Sequence, residues 1–319
     1  MTSELQRQQT KTLPICVLIP AYNRAHLLER AIASVWAQRP ALPAEVLVVD
    51  DGSDDETSEV ATQLGATVVR HPQNQGLAAA RNTGLRSTSQ PWVALLDSDD
   101  EWLPGHLAHL WRIREDHALV AGAALRCGID PGNDRYHGAS GSKPKILRSG
   151  DQLVVPENII PVSASMVKRD VALDAGGFQA RHGVSEDLDL WLRVLANHSA
   201  ICSPEVSVIY HVHGEQMSSH LPQMLLGHLA AGEAHRERTG GSHVPIRRWE
   251  GASAFYNLRD AQLSGEVLRM ARWTLYILSR PYRLRGSLEL AAQRYNGIRR
   301  ASALRAAGVG PSSRGSSKS

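Results

Sequence analysis

Three acidic side chains follow a short apolar segment of the chain, and their spacing could bind a divalent cation. Pro91–Leu96 is predicted to be a buried strand, and Asp97, Asp99 and Asp100 come directly after it. Carboxylates crowded at a strand end repel one another and lose hydration, so a cation is expected among them. Oxygen ligands suit Mg²⁺ or Mn²⁺. A solvated acidic turn or an acidic helix N-terminus would give the same pattern, and the spacing alone leaves these alternatives open.

A second pair of carboxylates, Glu186 and Asp187, stands at the start of a predicted helix. The apolar residues after them repeat at helical spacing and form one face: Leu188, Trp191, Leu192 and Leu195. Both carboxylates therefore fall in the first helical turn. Acidic residues that only favour the helix dipole are the structural alternative.

Two histidines, His211 and His213, follow the last predicted strand of this part of the chain. Because they are two residues apart, their side chains point to the same side of an extended segment. A histidine pair suggests zinc, but the sequence has no evident third nitrogen or sulfur ligand.

Strand, turn and helix alternate four times in the first 120 residues, and these elements must position the acidic groups. The strands are apolar throughout, which predicts a parallel sheet covered on both faces, with ligand loops at the carboxyl ends of its strands. Three polar loops then lie at one edge: Ala21–Arg24, Asp50–Asp54 and Asp97–Asp100. No glycine-rich dinucleotide or P-loop motif follows a strand, which argues against a dehydrogenase or an NTPase.

Composition is typical of a folded protein with two parts of opposite charge. The chain has 319 residues, 42% of them apolar, and no apolar run long enough to span a membrane. The polar N-terminus predicts no signal peptide, and three distant cysteines read as buried free thiols, so we expect a cytoplasmic protein. Residues 1–219 contain 19 Lys and Arg against 26 Asp and Glu, whereas residues 220–319 contain 16 against 6.

Six segments in order give the chain a family resemblance: Val17–Arg24 (VLIPAYNR), Val48–Asp54 (VVDDGSD), Asn74–Gly84 (NQGLAAARNTG), Leu95–Trp102 (LLDSDDEW), Glu186–Arg193 (EDLDLWLR) and Tyr210–Ser218 (YHVHGEQMS). Together they resemble the family 2 glycosyltransferases, which use nucleotide-sugars. The resemblance implies the α/β GT-A fold, a Rossmann-like mixed sheet flanked by helices, over residues 13–220. It places a flexible N-terminus at residues 1–12.

The resemblance also implies roles on the donor side. The loop of Pro20, Ala21, Tyr22 and Asn23 would bind the nucleotide, with the Tyr22 ring against the base. Asp51 would accept the imide N–H of a uracil, and Asp50 would support that loop.

Further donor-side roles follow from the same resemblance. Arg81 would reach the diphosphate or brace the acidic cluster. Asp97 would contact the ribose and the metal, and Asp99 would ligate Mn²⁺ or Mg²⁺, which stabilises the leaving diphosphate. We expect Asp100 to cap the turn at Glu101, with a ligand role as the alternative.

On the acceptor side, the resemblance assigns the catalytic base to Asp187, whose proton affinity Glu186 would raise through like charge. Direct displacement by the deprotonated acceptor hydroxyl would invert the anomeric centre. The family segment after the late strand often reads Tyr-Arg-x-His, so His213 is the predicted metal ligand. Because His211 replaces the Arg here, the assignment between the two histidines stays open.

Beyond residue 220 the sequence predicts a helical appendage over residues 221–305 and a disordered tail over 306–319. Residues 266–285 combine large apolar side chains with arginines, which predicts a basic amphipathic helix that can lie on the inner face of an anionic membrane. A lid on the catalytic domain or a homodimer surface is the alternative. No nucleic-acid-binding motif accompanies the cations, so we expect no nucleic-acid partner.

The sequence thus predicts an inverting, metal-dependent glycosyltransferase. The expected donor is a UDP-sugar, and the expected acceptor is a saccharide or lipid-linked hydroxyl. One alternative is a nucleotidyltransferase, which would need a basic, glycine-rich loop that Pro20–Arg24 does not provide. The other is a non-catalytic nucleotide-sugar-binding or scaffold protein on the same fold, which predicts loss of the base or of the Asp-x-Asp pair.

Overall fold

The computed structural model describes residues 11–128, 134–153, 158–181, 183–213, 221–240, 254–255, 258, 262, 267–279 and 281–311. Parts of three predicted segments lie outside these ranges: residues 1–10 of the flexible N-terminus, residues 214–218 of the Tyr210–Ser218 motif, and residues 312–319 of the tail.

The first half of the sheet consists of four parallel strands. These are β1 (Lys11–Ala21), β2 (Ala41–Asp50), β3 (Thr67–Arg70) and β4 (Trp92–Leu95), in the order β3-β2-β1-β4. The Ile15–Ile19 and Trp92–Leu95 segments are buried, as expected for strands covered on both faces. Parallel pairing brings the residues after Ala21, Asp50 and Leu95 to one edge, which confirms the predicted arrangement.

The second half makes the sheet mixed. Its strands are β5 (Glu101–Trp102), β6 (Leu119–Cys127), β7 (Arg135–His137), β8 (Lys145–Leu147), β9 (Ser165–Lys168) and β10 (Ala200–His211). β9 lies antiparallel between β4 and β6, β10 pairs parallel with β6, and β5 pairs antiparallel with β10. The short β7 and β8 pair antiparallel with β6 and β10.

Helices cover both faces of this sheet. They are α1 (Ala25–Trp36), α2 (Thr57–Gln63), α3 (Leu77–Ser87), α4 (His106–Ile113), α5 (Arg169–Asp174) and α6 (Glu186–Val194). One core contains Leu18 and Val49 with residues of α3, α5 and α6, and the other contains Ile19 and Val48 with residues of α1 and α4. Alternate side chains of β1 and β2 thus enter opposite cores.

Close packing of α3 on β1 sets the position of Arg81. A β-carbon added at Gly84 would lie 2.1 Å from the Leu18 Cδ1 atom, so a larger residue here would separate the helix from the strand. Arg81 stands three residues earlier on the same helix face and is carried to the sheet edge by this contact.

The C-terminal part contains α7 (Leu221–Thr239), α8 (Val267–Leu278) and α9 (Pro281–Ala306). α7 packs on α6, and α9 packs along β7 and on a small apolar cluster that includes Leu125, Ile209 and Ala301. No helix in the described part of the chain is both long and apolar enough to cross a membrane.

Three sequence predictions need correction at this level. The single basic helix predicted over 266–285 is two helices, because Pro281 begins α9. The segment 128–150 is rich in Gly, Ser, Asp and Lys and has no apolar periodicity, which predicts a mobile insertion, but it contributes β7 and β8 to the sheet. The apolar segments Ala200–Cys202 and Val206–Tyr210 predict two strands, but the structure has one strand, β10. Its register shifts near Val206 accommodate the polar Ser203-Pro204-Glu205 interruption.

Candidate active site

The ends of β1 and β2 are tied together by hydrogen bonds. The Asn23 backbone N–H donates to Ser53 Oγ at 2.9 Å, and the Asp54 backbone N–H donates to Asn23 Oδ1 at 2.8 Å. Asn23 has a φ of +52°, a left-handed conformation that asparagine tolerates. Pro20 and Ala21 are buried in β1, whereas Tyr22 is 40% exposed beside them. The tyrosine ring is therefore available to a ligand at this edge.

Ser53 and Glu56 have the spacing of a capping box, which predicts a helix beginning at Ser53, but no helix begins there. α2 begins at Thr57, and the Thr57 backbone N–H donates to Asp55 Oδ1 at 3.1 Å. The Ser53 hydroxyl oxygen is instead the acceptor that joins the two loops.

The two aspartates after β2 are buried and bonded within the protein. Asp50 accepts hydrogen bonds from the Ser53 backbone N–H and the Ser58 hydroxyl, and so holds this loop. Asp51 accepts the backbone N–H groups of Gln75 and Gly76 at 3.0 and 2.7 Å.

His71 gives Asp51 a third contact. Its Nδ1 lies 2.6 Å from Asp51 Oδ1, and its Nε2 lies 2.9 Å from the Thr83 Oγ1 atom on α3. Both Asp51 oxygens are thus engaged, and a contact with a nucleobase stays a prediction.

Arg81 joins the acidic cluster to the helix that carries Asp187. Its guanidinium is 1% exposed and donates to Asp97 Oδ1 at 2.6 Å and to the Glu186 carboxylate, 105 residues away. Burial acts to lower the pKa of Arg81, but Asp97 and Glu186 outweigh it and raise that pKa above its usual range. Arg81 therefore braces the carboxylates as a fixed cation.

Two carboxylates share this one buried guanidinium, so the site carries surplus negative charge. Burial raises the pKa of Asp97, with Arg81 opposing the rise and Asp99 adding to it. Burial likewise raises the pKa of Glu186, against Arg81 and together with Asp187. A bound cation would relieve both the burial cost and the repulsion.

The sequence predicts that Glu186 raises the proton affinity of Asp187 through like charge, and that effect stays a prediction. The structure adds a contact that the sequence does not predict: Glu186 is buried and its carboxylate binds Arg81. The structure therefore gives it a positioning role. Asp187, half-buried in the same helical turn, accepts a long hydrogen bond of 3.4 Å from the Asn158 side-chain amide.

Asp100 differs from the prediction, because it is fully buried and caps no helix. It accepts hydrogen bonds from the Ser163 hydroxyl and from the His211 backbone N–H at 3.2 Å. Burial raises its pKa well above the usual range, and Asp99 and Asp97 add to the rise. Asp100 thus links the acidic loop to the end of β10.

The two histidines contact different carboxylates. His213 Nε2 lies 2.9 Å from Asp99 Oδ2, whereas His211 Nε2 lies 3.4 Å from Glu101 Oε2. The side chains of Asp99 and His213 are 17% and 26% exposed and lie side by side, with Asp97 two residues from Asp99. This donor set of carboxylates and one imidazole suits Mn²⁺ or Mg²⁺ together with donor phosphates.

In the described ranges, no three His, Cys, Asp or Glu side chains form a preassembled metal cluster. The fit therefore rests on the surplus carboxylate charge and the Asp99–His213 pair. Because one Asp97 oxygen is held by Arg81, the cation would need its remaining ligands from the substrate and water.

Ser185, directly before the Glu186-Asp187 pair, has a φ of +61° and is buried under α7. A β-carbon on Gly227 of α7 would lie 2.5 Å from Val184 and 2.8 Å from the Ser185 hydroxyl oxygen, so only glycine permits this approach. The Ser185 Oγ also lies 3.2 Å from His228 Nδ1. α7 thus covers the turn that presents Asp187.

Sequence reasoning missed several residues of this site. Ser163, Asn158 and His71 contact the acidic groups from segments that carry no recognisable motif. Ser185, with its left-handed backbone, directly precedes the Glu186-Asp187 pair. Their partners lie 20 to 63 residues away for His71, Asn158 and Ser163, so no local pattern could indicate them.

Comparisons with known proteins agree with this architecture. A sequence profile described as Glycosyl transferase family 2 matches residues 16–173. The succinoglycan biosynthesis protein ExoU of Rhizobium meliloti is 41% identical over 210 residues, which cover 57% of this chain and 57% of that protein. The uncharacterized protein MT1568 of Mycobacterium tuberculosis is 31% identical over 62% of this chain and 67% of its own length. The chain thus spans little more than half of the first relative.

Two solved structures share the fold. A mannosyltransferase from Pyrobaculum calidifontis, in complex with GDP-Man and Mn²⁺, has a TM-score of 0.55 at 20% identity and covers 92% of this chain and 87% of its own. Residues 1–349 of Staphylococcus aureus TarS, in complex with UDP-GlcNAc, have a TM-score of 0.55 at 16% identity, covering 93% and 92%. The expected GT-A type of α/β fold is confirmed.

Proposed function

Because the chain belongs to glycosyl transferase family 2, we propose that it is an inverting glycosyltransferase that moves a sugar from a nucleotide-sugar to an acceptor hydroxyl. The single observation that carries this proposal is the Arg81 bridge. It fixes Asp97, in the acidic loop, against the N-terminus of the helix that bears Asp187. A donor-side carboxylate and a candidate base are thus held in one rigid unit.

The donor would lie at the carboxyl ends of β1, β2 and β4. The half-exposed Tyr22 ring would stack on the base, and the Pro20–Asn23 loop with Asp50 and Asp51 would shape its pocket. Asp97, Asp99 and His213 would hold the divalent cation, which when bound neutralises charge on the departing diphosphate.

The Asp187 carboxylate would act as the base. It would take the proton of the acceptor hydroxyl as that oxygen attacks the anomeric carbon, opposite the leaving diphosphate. Attack from that side inverts the anomeric centre. Arg81 and Glu186 would keep the base at a fixed distance from the acidic loop, which lowers the entropic cost of reaching the reactive geometry.

The donor class is proposed to be a UDP-sugar. The bound UDP-GlcNAc in the TarS structure supports this choice, and the GDP-Man in the mannosyltransferase makes a GDP-sugar the competing candidate. The acceptor is proposed to be a saccharide or lipid-linked hydroxyl, in line with the succinoglycan role in the name of the first relative.

A donor panel tests the proposal. Nucleotide release would be measured from UDP-, GDP- and dTDP-sugars with Mn²⁺, Mg²⁺ or EDTA. We expect slow metal-dependent hydrolysis of one UDP-sugar, and a loss of about 10²-fold or more in Asp187→Asn.

The matched control is Asp174→Asn, an exposed aspartate on α5, which should keep wild-type activity. Donor binding would be measured in parallel by calorimetry, because hydrolysis can require the acceptor. If no nucleotide binds in a metal-dependent manner, the transferase proposal is wrong and the non-catalytic scaffold is favoured.

A further inference from the structure

The two last helices expose an apolar face that no described element covers. On α8, Val267, Leu268, Leu275 and Leu278 are 60 to 88% exposed. Positions 268, 271, 275 and 278 repeat at helical spacing, and Val267 adjoins Leu268. These residues therefore form one continuous stripe rather than scattered surface residues. On α9, Leu288 and Tyr295 are about 60% exposed, with Leu284 one turn earlier.

The opposite side of α8 faces the protein. Ile277 is 6% exposed, and the Trp273 and Tyr276 rings meet edge to face with centroids 5.5 Å apart. α8 therefore has one face for internal packing and a second apolar face toward solvent. Exposed leucines grouped in this way mark an interaction surface.

The charge of these helices indicates what the surface contacts. Val267–Leu278 contains two arginines and no acidic residue, and Pro281–Ala306 contains six arginines and one glutamate. That glutamate, Glu289, is already paired with Arg285 at 2.9 Å. Arg272 and Arg299 are exposed close to the apolar stripes in sequence.

We propose that α8 and α9 dock on an anionic membrane surface, with the leucines inserted among the lipid chains and the arginines on the head groups. Basic amphipathic helices bind in this way, through apolar burial and attraction to acidic lipids together.

A second copy of the chain is a poorer occupant of this face. In a two-fold dimer the same patch meets itself, so arginines of one chain would face arginines of the other. An acidic bilayer instead offers opposite charge over an extended plane. The proposal concerns binding and does not depend on the transferase reaction, so either can fail without the other.

Vesicle flotation with the full chain tests the proposal. The vesicles would contain phosphatidylcholine alone or phosphatidylcholine mixed with phosphatidylglycerol. We expect the protein to float with the mixed vesicles at low salt and to be released as salt rises, because screening weakens the arginine contacts. Pure phosphatidylcholine should bind much less.

The double variant Leu268→Asp/Leu275→Asp should lower the partition coefficient on mixed vesicles by about tenfold or more, because it removes two inserted side chains. Leu226→Asp is the matched control: it changes a leucine on α7 that is 55% exposed but outside the stripe. Arg272→Gln should weaken binding to the mixed vesicles only. Thermal melts would verify that every variant is folded.

Three outcomes would overturn the proposal. The first is that wild type does not float with mixed vesicles. The second is that the double variant floats as well as Leu226→Asp. The third is that sedimentation shows a wild-type dimer that the double variant converts to a monomer. The last result would assign the apolar stripe to a second copy of the chain.

Discussion

At the scale of single residues, Arg81 is the group on which the site depends most directly. It is buried between Asp97 and Glu186, and removing it would leave two buried carboxylates without a cation. Breaking a buried pair in this way costs about 3–5 kcal/mol, more than the intact pair contributes, because the remaining charge stays desolvated.

We therefore expect Arg81→Met to lower the free energy of unfolding by about 3–5 kcal/mol, measured by urea denaturation without added metal. Arg86→Met, at an exposed arginine on the same helix, is the matched control and should change it by less than about 0.5 kcal/mol. Similar losses in the two variants would contradict the buried-bridge interpretation.

A double-mutant cycle separates the bridge from general packing. Without Arg81, the buried Glu186 carboxylate has lost its cation, and Glu186→Gln removes that charge. The double variant Arg81→Met/Glu186→Gln should therefore be about 1–3 kcal/mol more stable than the sum of the two single losses predicts. Strict additivity of the two changes would show that Arg81 and Glu186 do not act as a pair.

The residue types of the site could be predicted from the sequence better than their partners. Asp97 and Asp99 stand out by spacing and Arg81 by the family resemblance, and the structure brings the three to one edge. The contacts of Glu186 and Asp100 could not be predicted, because local sequence shows only their neighbours. Their actual partners, Arg81 and Ser163, lie 105 and 63 residues away.

At the scale of elements, the packing of α7 on the Asp187 helix is the least expected feature. The close approach at Gly227 and the left-handed Ser185 occur together, so α7 holds the backbone turn in a conformation that costs serine energy by itself. The sequence predicts a helical appendage, but no pattern in it indicates that the appendage reaches the helix that bears Asp187.

Gly227→Leu should therefore lower both stability and turnover. Its side chain would collide with Val184 and Ser185, so we expect a loss of about 1–3 kcal/mol in the free energy of unfolding. Donor turnover at a temperature where the variant is folded should fall by about tenfold, because a displaced turn misplaces Asp187.

Glu237→Leu introduces the same residue at an exposed position of α7 and serves as the control. Normal turnover in a destabilised Gly227→Leu would mean that α7 stabilises the fold without positioning the base. A turnover loss with unchanged stability would instead mean that α7 positions Asp187 without contributing to the stability of the fold.

At the scale of the whole molecule, stability should depend on pH through buried histidines. His106 is fully buried against Trp102, with Nδ1 2.8 Å from Ser207 Oγ, and burial lowers its pKa to about 3. Burial also lowers the pKa of His109 and of His235. As the pH falls, these histidines are protonated in the unfolded chain before they are protonated in the folded chain. Their protonation therefore lowers the free energy of unfolding below about pH 6.5.

The raised pKa values of Asp97, Asp100 and Glu186 act in the opposite direction, because the folded state then holds protons that the unfolded state releases. The histidine contribution is therefore measured as the difference between the pH dependence of a histidine variant and that of wild type. Between pH 6.5 and 4.5, His106→Gln should lose less unfolding free energy than wild type, by about 1.4 kcal/mol per pH unit. His198→Gln, at an exposed histidine, should follow wild type, and equal slopes in all three proteins would contradict the assignment.

The contact between α7 and the Asp187 helix has a consequence for modular engineering. The family profile ends at residue 173 and the recognisable motifs end near 218, so a chimera built on them would exchange everything after about residue 220. Such a graft would replace Gly227 and His228, which cover Ser185. A crossover point after residue 240 would retain α7 with the Asp187 helix, and the grafted segment would still have to restore the contacts of α9 with β7 and with Leu125 and Ile209.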